Sequence, residues 1–192
     1  NLDALKKGLP NLERHIENIK KFGLDLVVAI NHFVTDTDNE VKIIQDLCSK
    51  LGVKVSLCTQ CSYGGNGTKE LANLVVELSN NRDKSKFKYL YSDEISILEK
   101  IEKIAKEIYR AKNIEIDEKI KEQIKKIEQA GFGKFPICIA KTQYSFSTDP
   151  KVKGVPSDHT LSIREVRLSS GAEFIVVVCG SIMTMPGLPK IP

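Results

Sequence analysis

A continuous apolar run, Leu26-Val27-Val28-Ala29-Ile30, and a second short strand segment at residues 53 to 57 flank a stretch of helical periodicity. That arrangement limits what the chain can fold into more than any other feature. The first run is apolar at every position, as a strand buried on both faces requires. Between the runs, Val41, Ile44, Leu47 and Leu51 share one helical face over residues 38 to 51, and Gly52 ends it. Strand, helix, strand is a βαβ unit with a parallel sheet. An opening helix precedes it, with Leu12, Ile16, Ile19 and Phe22 on one face and Gly23 as its stop. After the second strand comes Gly64-Gly65-Asn66-Gly67. Thr68 then reads as a cap for a helix whose buried stripe is expected to be Leu71, Leu74, Val75 and Leu78.

The second half has a different texture. Residues 80 to 92 are polar and connective. Helices are expected over 93–112 and 116–130, striped by Ile95, Leu98, Ile101 and Ile108 and by Ile116, Ile120, Ile124 and Ile127. Such stripes are read as packing core. Strands are expected at 136–141, at 161–168, where apolar and charged residues alternate, and at 174–179. The chain is therefore read as α/β: a parallel-sheet portion over residues 1–82, followed by a smaller α+β domain over 83–192.

Composition narrows the function classes. The net charge is only +4, and the lysines mix with acids at helical spacing, as on solvated faces rather than a nucleic-acid stripe. No apolar run approaches the roughly 18–20 residues of a membrane span, and the start shows no signal-peptide pattern. The odd number of cysteines, 5, points to free thiols in a reducing compartment, the cytoplasm or an organelle matrix. The chain opens at Asn1 and closes in a Pro-rich loop, so it is read as one part of a longer polypeptide.

Ligands in open parallel sheets bind beyond the carboxyl ends of the strands. The first such end is Asn31-His32-Phe33-Val34-Thr35-Asp36-Thr37. Thr37 or Asp38 can simply cap the next helix. Capping does not account for Asn31 and Phe33: an aromatic at a strand mouth offers a face to a planar ring, and an amide can read its donors and acceptors. The second end runs from Cys58 to Gly67, where glycines before a helix can admit a ligand to the backbone. The spacing is neither Gly-x-Gly-x-x-Gly nor a Walker loop, and no Gly-Lys-Ser/Thr occurs in the chain. Cys58-x-x-Cys61 has no second ligand pair for a structural zinc, and it does not open a helix directly, as a thioredoxin-type redox pair does. His15 reads as a surface residue among charges, and His159 flanks a strand.

Several segments together resemble the formate–tetrahydrofolate ligases. They are Val27-Val28-Ala29-Ile30-Asn31-His32-Phe33-Val34-Thr35-Asp36-Thr37, Gly64-Gly65-Asn66-Gly67, Gly131-Phe132-Gly133, Ala140-Lys141-Thr142-Gln143-Tyr144-Ser145-Phe146-Ser147, Ile163-Arg164-Glu165-Val166-Arg167 and Met183-Thr184-Met185-Pro186-Gly187-Leu188-Pro189. They stand in family order and span nearly the whole chain. The resemblance implies that residues 1–82 belong to a P-loop-type nucleotide-binding domain. It also implies ATP- and Mg2+-dependent joining of formate to N10 of tetrahydrofolate through formyl phosphate, with the phosphate loop in an amino-terminal part not present here. Phe33 matches the aromatic that stacks on the folate ring, and Val34 stands where many members have proline. Leu57 matches an apolar wall of the same pocket, and Cys61 replaces the usual tryptophan, the other half of the ring sandwich. Asn31, Thr35 and Asp36 are candidate polar contacts, and Met185, Pro186 and Gly187 are placed near the nucleotide. The implied partners are the three small substrates, with a homo-oligomer expected for the full-length enzyme and no nucleic acid or membrane. The rival readings are a non-catalytic folate- or nucleotide-binding module or a degenerate subunit that assembles with an intact partner, which Cys61 and the missing phosphate loop favour, and a stand-alone thiol or metal module.

Overall fold

The structure is a computed structural model describing residues 1–81 and 86–182. It divides into two compact units, Asn1–Tyr89 and Leu90–Pro192. Residues 86–89 stay with the first unit, later than the boundary expected after residue 82, because Lys88 N donates to Phe22 O at 3.1 Å.

In the first unit, α1 (Leu2–Lys20) starts on an Asn1 side-chain cap and carries Pro10 in its interior. Then follow β1 (Val27–Asn31), α2 (Asp38–Lys50), β2 (Lys54–Cys58), a short α3 (Gln60–Tyr63), a 3-10 turn (Gly64–Thr68) and α4 (Lys69–Asn80). β1 and β2 pair in parallel, in a register running from Val27 opposite Lys54 to Asn31 opposite Cys58. The βαβ expectation holds, with α2 as the crossover. Ile16, Cys48 and Val53 form the core, with Leu12, Leu26, Val28, Ile44, Leu51 and Val55 packed against them.

Two burial expectations fail for one reason. β1 was expected to be buried on both faces, yet only Ile30 is buried and Ala29 is exposed. The stripe on α4 is present in sequence, but no residue of that helix is buried, and Val75 and Val76 are 46% and 57% exposed. Among the described residues β1 pairs with β2 alone. A two-stranded sheet is too narrow to cover a helix face. A groove of about 370 Å³ runs along β1, lined by Leu5, Leu12, Ala29, Ile30, Val41 and Ile44 among others.

The second unit contains α5 (Ile97–Glu107), β3 (Asn113–Glu115), α6 (Glu118–Ile127), β4 (Ile137–Ala140), β5 (Thr160–Ser169) and β6 (Phe174–Cys179). The sheet order is β3-β5-β6-β4. β5 and β6 are antiparallel, whereas β3–β5 and β4–β6 are parallel. The sequence gives no sign of β3, a three-residue edge strand too short for a period. Ile97, Ile101, Ile120, Ile124 and Ile127 pack on Leu161, Val166, Ile175 and Val177. The stripe expected on the second helix is core at Ile120, Ile124 and Ile127, whereas the first helix starts only at Ile97 and buries Ile97, Ile101 and Ala105, so of the expected Ile95, Leu98, Ile101 and Ile108 only Ile101 belongs to that core. Ser96 and Glu99 form a reciprocal capping box at the start of α5. Lys100 is fully buried, its Nζ donating to the carbonyls of Gly133 at 2.8 Å and Phe135 at 3.2 Å. No helix among the described residues is long and apolar enough to cross a membrane.

Candidate functional site

The carboxyl ends of β1 and β2 lie side by side because the parallel ladder brings Asn31 opposite Cys58. One further bond, His32 N to Cys58 O at 2.9 Å, extends the pairing past the strand. The chains then diverge into two loops, which hold Phe33, Val34, Thr35 and Asp36 on one side and Cys61 on the other.

The first loop is a closed turn. Phe33 N donates to Asp36 Oδ2 at 2.8 Å, and Asp36 N donates back to Phe33 O at 2.9 Å. The Asp36 carboxylate, expected to contact ligand, is thus engaged in shaping the turn. Thr37 and Glu40 then cap α2 reciprocally: Thr37 N donates to Glu40 Oε2 at 3.0 Å, and Glu40 N to Thr37 Oγ1 at 3.4 Å. Fixed at both ends, the turn holds Phe33 and Val34 outward, 52% and 87% exposed. Thr35 is also exposed. An exposed phenyl ring on a pinned turn is arranged for stacking rather than for core packing.

The second loop closes on itself. Thr59 N donates to Gly67 O at 3.0 Å. A methyl group on Gly67 would lie 2.5 Å from the Thr59 carbonyl carbon, so only glycine fits. Gly64 takes a positive φ of 56° as the chain leaves α3. The glycines were expected to admit a ligand to the backbone; Gly67 instead admits the loop's own backbone. Within this closed loop α3 displays Cys61 and Tyr63, both exposed. α3 itself was not expected, because four residues leave no period to read. Leu57 sits half-buried on β2, opposite Ile30.

Asn31 joins the two loops. Its Oδ1 accepts from Gln60 Nε2 at 2.6 Å and lies 4.0 Å from Cys61 Sγ. Asn31, Phe33, Leu57 and Cys61 are therefore gathered at one end of one parallel strand pair. Gln60 was not singled out from the sequence. The cue was there: it stands two residues past Cys58, the register partner of Asn31.

Met185, Pro186 and Gly187 lie outside the described residues. Cys58 is buried and Cys61 exposed, and all five cysteines are free. Among the described residues no group of three or more His, Cys, Asp and Glu side chains is placed to hold a metal ion.

Comparison with known proteins agrees with the motif resemblance. The family model described as formate–tetrahydrofolate ligase matches residues 1–192. The formate–tetrahydrofolate ligase of Pelagibacter ubique is 61% identical over all 192 residues. The corresponding ligases of Roseobacter denitrificans and Ruegeria pomeroyi are 52% and 54% identical, again over the whole chain. In each case the chain spans 34% of the relative's length. With every residue inside the family model, the chain belongs to the formate–tetrahydrofolate ligase family.

Proposed function

We propose that this chain supplies the folate-pocket wall of a longer enzyme that joins formate to N10 of tetrahydrofolate at the expense of ATP. The observation that carries this reading is the convergence at Asn31, which ties the loop presenting Phe33 to the loop presenting Cys61.

Each residue has a part in it. Phe33 offers a face to the pterin, and Leu57 an apolar wall. Asn31 and Thr35 supply polar groups at the rim, and the Asp36 turn sets the angle of the Phe33 ring. Cys61 leaves the opposite face of the slot without an aromatic. An aromatic pair contributes about 0.5–1.5 kcal/mol beyond burial, so affinity is lower by roughly 2- to 12-fold than with two rings. Tyr63, two residues on and 69% exposed, is the one aromatic on α3. The pocket contributes by holding the folate amine in line with activated formate, which removes orientational entropy from the attack.

ATP with Mg2+ supplies the phosphoryl group that activates formate as formyl phosphate. The described residues do not fit that role: the chain has no Gly-Lys-Ser/Thr loop, and no acidic cluster is placed for a metal among them. Phosphate binding, and with it the P-loop character of the domain, is assigned to the remainder of the polypeptide. Met185, Pro186 and Gly187 are assigned to the nucleotide on the motif resemblance.

The test is ATP- and formate-dependent formation of 10-formyltetrahydrofolate by the complete ligase, with and without Phe33→Ala. The reading requires a raised KM for tetrahydrofolate, and an unchanged value would overturn it. The 192-residue chain alone is expected to form no product. A non-catalytic folate-binding module is the second reading, favoured by Cys61 and the missing phosphate loop. It would prevail if the complete protein bound folate yet made no product.

A further inference from the structure

Gln60 sits in an arrangement that a surface glutamine at a helix start would not adopt by itself. Its Nε2 donates to Asn31 Oδ1 at 2.6 Å, while its Oε1 is buried with no hydrogen-bond partner among the described residues. Turned outward to water, the amide would satisfy both ends. Turned inward, it leaves a buried acceptor unpaired, which is unfavourable. The inward arrangement therefore stands against a penalty, and what it achieves is visible at Asn31.

An asparagine amide has an acceptor end and a donor end, and a free one presents either by rotating. Here the acceptor end is occupied: Oδ1 takes the Gln60 donor and faces Cys61 Sγ as well. The Nδ2 end, with its two N–H donors, has no partner among the described residues, and Asn31 is exposed at the strand mouth beside the Phe33 turn.

We propose that Gln60 is a positioning residue that locks the Asn31 amide with its donors toward the substrate, so that the pocket selects a ring carrying an acceptor at its edge. The inference rests on the folate-pocket reading of Phe33 and Cys61 and deepens it. The 4-oxo group of a pterin is such an acceptor, whereas a 4-amino group in the same place is a donor and meets donors. Gln60 touches no substrate in this scheme and acts only by removing one of the two rotamers of Asn31. A site that leaves a buried donor unpaired discriminates far more strongly than one that lacks a contact.

The test compares binding of tetrahydrofolate and its 4-amino analogue by calorimetry in the complete ligase. The enzymes compared are the wild type, Gln60→Leu, Gln60→Glu and Phe33→Ala. The wild type is expected to favour the 4-oxo ring by about tenfold, the worth of one hydrogen bond of ordinary strength. Gln60→Leu frees the Asn31 amide to rotate and brings the preference to within about twofold. It also removes the unpaired buried oxygen, so folding should not suffer. Gln60→Glu offers an acceptor in place of the donor. It turns the Asn31 Nδ2 inward and the Oδ1 outward, and the preference shifts toward the 4-amino ring by tenfold or more.

A merely structural role for Gln60 would weaken both ligands alike and leave their ratio unchanged. The same ratio in the wild type and both Gln60 variants would therefore overturn the proposal. If Phe33→Ala binds both ligands as the wild type does, the pocket reading itself has failed, and the role of Gln60 falls with it.

Discussion

Gly67 and Thr59 are held face to face: Thr59 N donates to Gly67 O at 3.0 Å, and the Gly67 Cα has no room for a methyl group on the Thr59 side. This closure frames the loop that carries Gln60, Cys61 and Tyr63. Gly67→Ala must push the Thr59 backbone away, opening the loop and displacing Gln60 from Asn31. In the complete ligase the expected result is a rise of tenfold or more in KM for tetrahydrofolate. Gly65 has open space at the corresponding position, so Gly65→Ala should leave the KM within about twofold. Equal effects from the two substitutions would show that the loop closure is irrelevant to folate.

The proposed ring slot, with an aromatic on one face only, predicts a gain-of-affinity variant. Cys61 is exposed and next to Asn31, so a larger ring there has space to grow into. Cys61→Trp is expected to tighten folate binding to the complete enzyme by roughly 2- to 12-fold. Calorimetric titration with tetrahydrofolate checks this, and an unchanged or weaker affinity would count against the slot.

The second unit depends on an unusual interior cation. Lys100 places its ammonium among the carbonyls of Gly133 and Phe135, closing the turn that follows α6. Burial pushes its pKa down, opposed by the charges of Asp93, Glu94 and Glu128. Lys100→Met keeps the stem but strands two carbonyls, at a cost on the order of 2–4 kcal/mol. Chemical denaturation of the chain should show the loss in the second unit, with the first unit's transition unmoved.

Alkaline pH should find the same unit. Burial raises the Cys179 thiol to about 11, with the Lys141 charge opposing. Unfolded, the thiol titrates near its ordinary value of 9.0. The folded state therefore holds its proton longer. The stability from this group is complete below pH 9 and is lost as pH rises toward about 11, at no more than roughly 1.4 kcal/mol per pH unit. Lys141, lowered by burial, works in the opposite sense below 10.5. The difference in slope between the wild type and Cys179→Ala over pH 8–11 isolates the thiol. Parallel slopes would contradict its assignment.

The βαβ crossover was readable because its cues are local: a run of five apolar residues, a helical period and a stop glycine. The Thr37 cap was readable for the same reason. Phe33 was singled out by its place at a strand mouth and Cys61 by family pattern, and the structure puts their loops in contact through Asn31. What escaped was whatever depends on two distant segments. Gln60 matters because the β1–β2 register sets it beside Asn31, and no window of sequence shows a register. The turn bond of Asp36 and the loop closure at Gly67 were not visible either, since a carboxylate or a glycine in a loop looks alike whether it serves a ligand or its own turn. The α4 stripe was read correctly as apolar and wrongly as covered, because burial depends on what lies opposite.

Ile30 is buried while Ala29 next to it is exposed, and the outer side of β1 carries main-chain amides and carbonyls with no strand beside them among the described residues. Water can serve those groups, but it cannot cover the exposed Val75 and Val76 on α4. A bare parallel edge of this kind templates any extended peptide it meets. Handled on its own in solution, this segment should therefore associate more as its concentration rises. A lysine at Ala29 would be the least invasive change for keeping it monomeric.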